Sequence, residues 1–100
     1  MSTLLTVIEI ANAVNISITD DTLTVNLDDG RTISVPLGWY PRLLHGNEQE
    51  RKNWYLIGQG EGIHWPELDE DISVKGLIAG NRSQESPQSL QNWLDSRQKQ

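Results

Sequence analysis

Ten residues in the second half of the chain, GIHWPELDED from Gly62 to Asp71, set a histidine, a tryptophan and four carboxylates almost side by side. Those residue types support two kinds of chemistry. Imidazole and carboxylate together ligate zinc or iron, and a histidine beside an acid can move protons near neutral pH. A metal reading takes His64 and Glu67 as its ligands, Asp69 as a further oxygen donor and His45, the only other histidine, as the second imidazole. Neither HxxxH nor HxH spacing occurs, so no single helix or strand aims two imidazoles at one ion. A calcium loop needs acids at alternate positions, a central glycine and a distal glutamate. Glu67, Asp69, Glu70 and Asp71 lack that glycine, and Leu68 and Ile72 interrupt the pattern. An acid–base pair centred on His64, with Glu67 or Asp69 as helper, needs one carboxyl in a dry pocket. The reading that asks least of these residues is a strand histidine hydrogen-bonded at a sheet edge. A solvated acidic loop then follows, and it can double as a contact surface for a basic partner.

Other stretches carry less chemistry. GQGEG, Gly58 to Gly62, has the glycines of a phosphate loop, but it is expected to follow a helix and enter a strand. A dinucleotide fingerprint does the reverse, and the lysine of a Walker loop is missing. No GxSxG elbow supports a serine nucleophile. The sequence therefore nominates no catalytic residue, no cofactor and no metal. Trp39, Trp54 and Trp65 lie within the apolar pattern and are expected in the core. Trp93 shares a short tail with Leu90 and Leu94, and that stripe, with Glu67, Asp69, Glu70 and Asp71, is the expected partner-binding surface.

Bulk composition narrows the classes. A chain of 100 residues makes one domain with a modest core. Apolar residues are 36% and phenylalanine is absent, so aliphatic residues and four tryptophans must fill the interior. A net charge of −6 and a pI near 4.7 disfavour direct contact with a phosphate backbone. Without cysteine there are no disulfides or thiolate metal sites. Met1 to Ala13 lacks a basic n-region and is interrupted by Glu9, unlike a signal peptide. No apolar run approaches the roughly 20 residues of a membrane span, and the expected compartment is the cytoplasm.

The elements that must position these residues show as periodicities. Val14, Ile16 and Ile18 alternate with polar residues, as do Leu23, Val25 and Leu27, then Ile33, Val35 and Leu37; each reads as a half-buried strand. A two-residue turn at Asp20-Asp21 puts Ile18 opposite Leu23 and Val14 opposite Leu27. A three-residue turn, Asp28-Asp29-Gly30 with Gly30 left-handed, sets Val25 opposite Ile33 and keeps the apolar faces together. Pro41 opens a short helix, PRLL. NEQERKNWYLIG predicts a longer one, with Asn47 and Glu50 forming a capping box and Gly58 closing it. GIHW returns as a strand with Ile63 and Trp65 on one face, and Ser73 caps a last short helix over Val74 to Ala79 that ends at Gly80. Met1 to Ala13 mixes periods and reads as a strand. The fold class is α+β: an antiparallel β-meander packed against short helices. The domain spans 1–80, and 81–100 form a polar linker and a short C-terminal helix starting at Ser86-Pro87.

DGRTISVPLGWYPRL (Asp29 to Leu43) and NWYLIGQGEGIHWPELDEDISVKGLIAG (Asn53 to Gly80), with the alternating strands before them, resemble the bacterial family known as domain of unknown function 2442. The resemblance covers Val14 to Gly80. It implies a small α+β domain, and no catalytic residue can be carried over from it. Some members resemble the antitoxin half of a toxin–antitoxin-like pair; others continue into a helix-turn-helix, for which this tail is too short.

The expected function is thus a non-enzymatic binding module that contacts another small, basic protein, with a symmetric homodimer also open. It binds neither nucleic acid directly nor a membrane. The alternatives are a small metal-dependent or acid–base enzyme centred on His64, and a transcription-linked accessory domain.

Overall fold

The computed structural model describes residues 11–98; the strand expected over Met1 to Ala13 lies almost wholly outside them. Two three-stranded antiparallel sheets carry the architecture. The first runs β1 (Ala13–Ile18), β2 (Thr22–Leu27) and β3 (Thr32–Pro36) in sequence order. The alternation dictates its inward face: Leu23 and Val25 are fully buried, and Leu27, Ile16 and Val35 nearly so. Both turns form as the register argument requires. Thr19 and Thr22 close the two-residue turn, with Ile18 opposite Leu23. Gly30 takes φ 93 in the three-residue turn, with Val25 opposite Ile33.

One register expectation fails. Ala13, not Val14, lies opposite Leu27, because β1 bulges between Ala13 and Asn15. Val14 becomes the extra residue of the bulge and is 56% exposed, whereas Ala13 is buried. The cause lies in the other sheet: the Ala13 N–H donates to the Gly60 carbonyl at 2.7 Å, which fixes where the strand begins.

After β3 the chain makes a single 3₁₀ turn, Leu37–Trp39, and two short helices, α1 (Pro41–His45) and α2 (Glu48–Lys52). Pro41 opens α1, and α2 has the full capping box: the Asn47 side chain accepts from the Glu50 N–H, and Glu50 accepts from the Asn47 N–H, both at 2.8 Å. The longer helix expected through Gly58 does not form. Tyr55–Ile57 is instead β4, edge strand of the second sheet, followed by β5 (Gly62–Trp65) and β6 (Glu70–Ser73). Trp54 and Leu56 turn inward while Tyr55 and Ile57 stay exposed, a period of two that aromatic and β-branched residues favour. Gly58 (φ 61) and Gly60 (φ 102) accordingly serve the β4–β5 hairpin rather than a helix end. Ser73 caps α3 (Val74–Ile78), its side chain accepting from the Gly76 N–H.

The inner faces of both sheets and the short helices share one core built on Trp65, Leu23, Leu37, Leu43, Ile63, Leu68, Val25 and Val74. Each such burial contributes roughly 1.5–3 kcal/mol. Of the tryptophans expected in the core, Trp65 is fully buried and its indole N–H donates to the Arg51 carbonyl, while Trp39 and Trp54 pack against the periphery. Beyond α3 the chain stays close to the domain: the Tyr40 hydroxyl donates to the Asn81 carbonyl, and the Ser83 N–H to the Trp39 carbonyl. It then forms α4 (Pro87–Gln98). No helix among the described residues is long and apolar enough to cross a membrane.

Candidate functional site

The acidic stretch is a hairpin, not one loop, and the pleat sorts its carboxylates. Leu68 drops into the core at zero exposure, with its N–H bonded to the Trp65 carbonyl, and so anchors the β5–β6 turn. Next to this plug Asp69 holds φ 50, the one positive φ outside glycine among the described residues, and its side chain is 90% exposed. Glu67 is also exposed and accepts from the Asn53 side-chain amide at 2.9 Å.

Glu70 and Asp71 belong to β6, where directly opposed residues share a face. Glu70 pairs with Trp65 and turns inward; Asp71 pairs with His64 on the outer face, where its carboxylate meets His64 Nδ1. Tyr55 flanks His64 on the other side, ring centroids 5.1 Å apart, so Tyr55, His64 and Asp71 form a row across all three strands. Asp71, not Glu67 or Asp69, is therefore the acid that histidine meets. Among the described residues no three histidine or acidic side chains converge as a metal site would require. His45 is exposed at the end of α1.

Glu70 is half-buried, and its carboxyl is pushed up to about 7, first by loss of solvent and then by the charge of Glu85. Arg42 opposes the shift, while Asp71 and Asp69 add to it. Tyr40 beside it is raised by burial and by Glu70. Two polar clefts of about 290 and 280 Å³ meet at Glu70. A larger groove of about 720 Å³ runs along the far side of β6, between Ile57, Ile72 and Val74.

The tail residues expected to face a partner are placed against their own domain. Trp93 packs on the core periphery between two guanidinium groups, Arg42 at 5.0 Å and Arg97 at 4.7 Å from its ring centroid. Leu90 and Leu94 are half-buried. Two ion pairs hold this arrangement. Arg42 clasps Glu85 through Nε and Nη2, the latter at 2.6 Å, and Arg97 donates twice to Glu50 at 2.9 Å. The guanidinium–carboxylate partners lie 43 and 47 residues apart, and no local spacing connects them.

Comparisons with known proteins agree on architecture. The profile of a family described as "protein of unknown function (DUF2442)" matches residues 13–83. A crystal structure of a protein of unknown function from Rhodospirillum rubrum is 27% identical with a TM-score of 0.64, over 75% of this chain and 93% of that one. A solution structure of an uncharacterised protein from Chromobacterium violaceum has a TM-score of 0.62 at 16% identity, over 81% of this chain and 74% of that one, and shows the shared fold alone. No curated protein matches the sequence significantly.

Proposed function

The chain belongs to this DUF2442 family of proteins of unknown function, and we propose that it is a non-enzymatic binding module for another small, basic protein, in the manner of the antitoxin-like half of a two-protein pair. The observation that carries the reading is the display of charge on the β5–β6 hairpin. Leu68 is buried in the core and anchors the turn, and Asp69 and Asp71 project with side chains 90% and 68% exposed. Exposed Tyr55 and Ile57 lie on the same sheet and offer apolar area. Rim carboxylates of this kind steer a cationic partner and raise its rate of encounter. With Trp93 turned toward its own domain, the hairpin and this outer face are the contact surface.

The test is co-purification with the product of a neighbouring gene, followed by association kinetics of the Asp69→Lys/Asp71→Lys double variant. Charge reversal at the rim should slow association by about tenfold and flatten its salt dependence. Equal association rates, or a protein that remains without a partner at micromolar concentration, would overturn the reading.

One contact favours a second reading, acid–base chemistry at His64. A carboxylate on Nδ1 fixes the tautomer that leaves Nε2 as the proton acceptor. It needs an activity lost in His64→Ala and kept in Asp69→Asn.

A further inference from the structure

The attachment of α4 to the domain has an unusual balance. None of its residues is fully buried, and Leu90, Trp93 and Leu94 are covered only in part; a helix of this length is marginal in isolation. What holds it is charge: the Arg42–Glu85 pair before its first turn, the Arg97–Glu50 pair in its last, and Trp93 between the two guanidinium groups. The four charged side chains are only 11 to 27% exposed, so both pairs are partly shielded from salt. Glu50 also completes the capping box of α2, which ties the far end of α4 to a folded element.

The near end is contested. Arg42 is clasped by Glu85, donates to the Leu68 carbonyl at 3.2 Å, and lies 3.9 Å from Asp69. Glu70 faces the same cleft as Arg42, Asp69 and Glu85, and a second cleft shared with Tyr40, Asp71 and Arg82. One guanidinium thus serves more carboxylates than it can neutralise.

We infer that α4 is a detachable strap, clamped by Arg42–Glu85 and Arg97–Glu50, that loosens when Glu70 ionises and that uncovers the Leu90, Trp93 and Leu94 stripe on release. The direction follows from reciprocity. Burial and, after it, the charge of Glu85 raise the Glu70 carboxyl while α4 is docked. When α4 leaves, Glu85 goes with it and Arg42 is freed to stabilise the Glu70 carboxylate, so the Glu70 pKa falls. A group whose pKa is higher in the docked state favours docking fully below its undocked value, and that contribution is lost as pH rises through about 7. Each unit of difference between the two states lowers the docked-to-free ratio about tenfold above neutrality. The strap does not depend on the chain binding a protein.

The experiment follows the Trp93 indole N–H resonance from mildly acidic to mildly alkaline pH, with the buried Trp65 indole as the control for global folding. The Trp93 signal should move toward a solvent-exposed position with a midpoint near 7. Glu70→Gln should hold Trp93 docked throughout, and Glu85→Gln should free it at every pH while Trp65 stays unmoved. A Trp93 resonance that ignores pH, or that titrates equally in Glu70→Gln, overturns the inference. Glu70→Gln removes only a charge, so it decides the matter even if Glu85→Gln proves unstable.

Discussion

Replacing Gly60 by alanine should separate two costs that a glycine can hide. Gly60 sits at φ 102, and Gly30, in the first sheet, at a similar φ of 93. A methyl group at Gly30 meets nothing within 4 Å, so Gly30→Ala carries the backbone penalty alone, about 1–2 kcal/mol. At Gly60 the same methyl collides with the Ala13 carbonyl oxygen and lies 3.0 Å from the Ala13 nitrogen. The chain must then part where the two sheets join, which weakens the 2.7 Å bond from the Ala13 N–H to the Gly60 carbonyl. Overpacking of this kind costs about 1–3 kcal/mol and the hydrogen bond about 1 kcal/mol. Gly60→Ala should therefore cost about 3–6 kcal/mol in all, a large part of the stability of a domain this size. In urea unfolding, with a slope of about 1–1.5 kcal/mol/M, its midpoint should fall about 2 M below that of Gly30→Ala. Equal midpoints would falsify the close approach of the two sheets, and with it the account of why β1 bulges at Val14.

Further outcomes can be checked in the same assays. Glu70→Gln should stabilise the protein in a pH-dependent way: no gain below about 4.5, where the carboxyl is protonated folded or unfolded, and a gain that grows to about 1–2 kcal/mol as pH passes 7; paired denaturant titrations at acid and alkaline pH measure it. A double-mutant cycle on Glu50→Gln and Arg97→Ala should give a coupling of about 1 kcal/mol, above that of a fully exposed pair because the geometry is bidentate and half-shielded. Glu50→Gln keeps an acceptor for the α2 cap, so a much larger loss from that variant alone would mean the cap had failed. Leu68→Ala should cost about 2–5 kcal/mol and release Asp69 from its positive φ, seen as faster amide exchange across the β5–β6 turn. Asp71→Asn should change stability by less than about 1 kcal/mol, since its side chain is 68% exposed.

Where local pattern sufficed, expectation and structure coincide. The capping box at Asn47 and Glu50, the proline that opens α1, the serine that caps α3 and the left-handed Gly30 are each decided within four or five residues of sequence. The failures share one origin, contact with distant chain. Residues Trp54 to Ile57 carry enough apolar content for a helix, and only pairing with β5 selects their alternate, period-two reading. Val14 fits its strand's alternation, but the bond from Ala13 to Gly60 inserts a bulge that turns it outward.

The candidate site divides in the same way. That four carboxylates and a histidine lie close together is written in ten residues, and the overall acidity is written in the composition. Which carboxylate does what is not, because in a pleated hairpin one step along the chain reverses the side. Asp71 meets His64 in solvent while Glu70, its neighbour, faces inward toward Arg42 and Glu85. The tail shows the same limit most plainly. Its apolar stripe is legible from Leu90, Trp93 and Leu94, but where that stripe goes depends on guanidinium–carboxylate pairs more than forty residues apart, which only the folded chain brings within 3 Å of each other. Sequence by itself determined the acidic character, the alternating strands and the local caps, because those follow from nearest neighbours. Tertiary structure alone decided the pairing partners of each charge, because burial and register are properties of the whole fold.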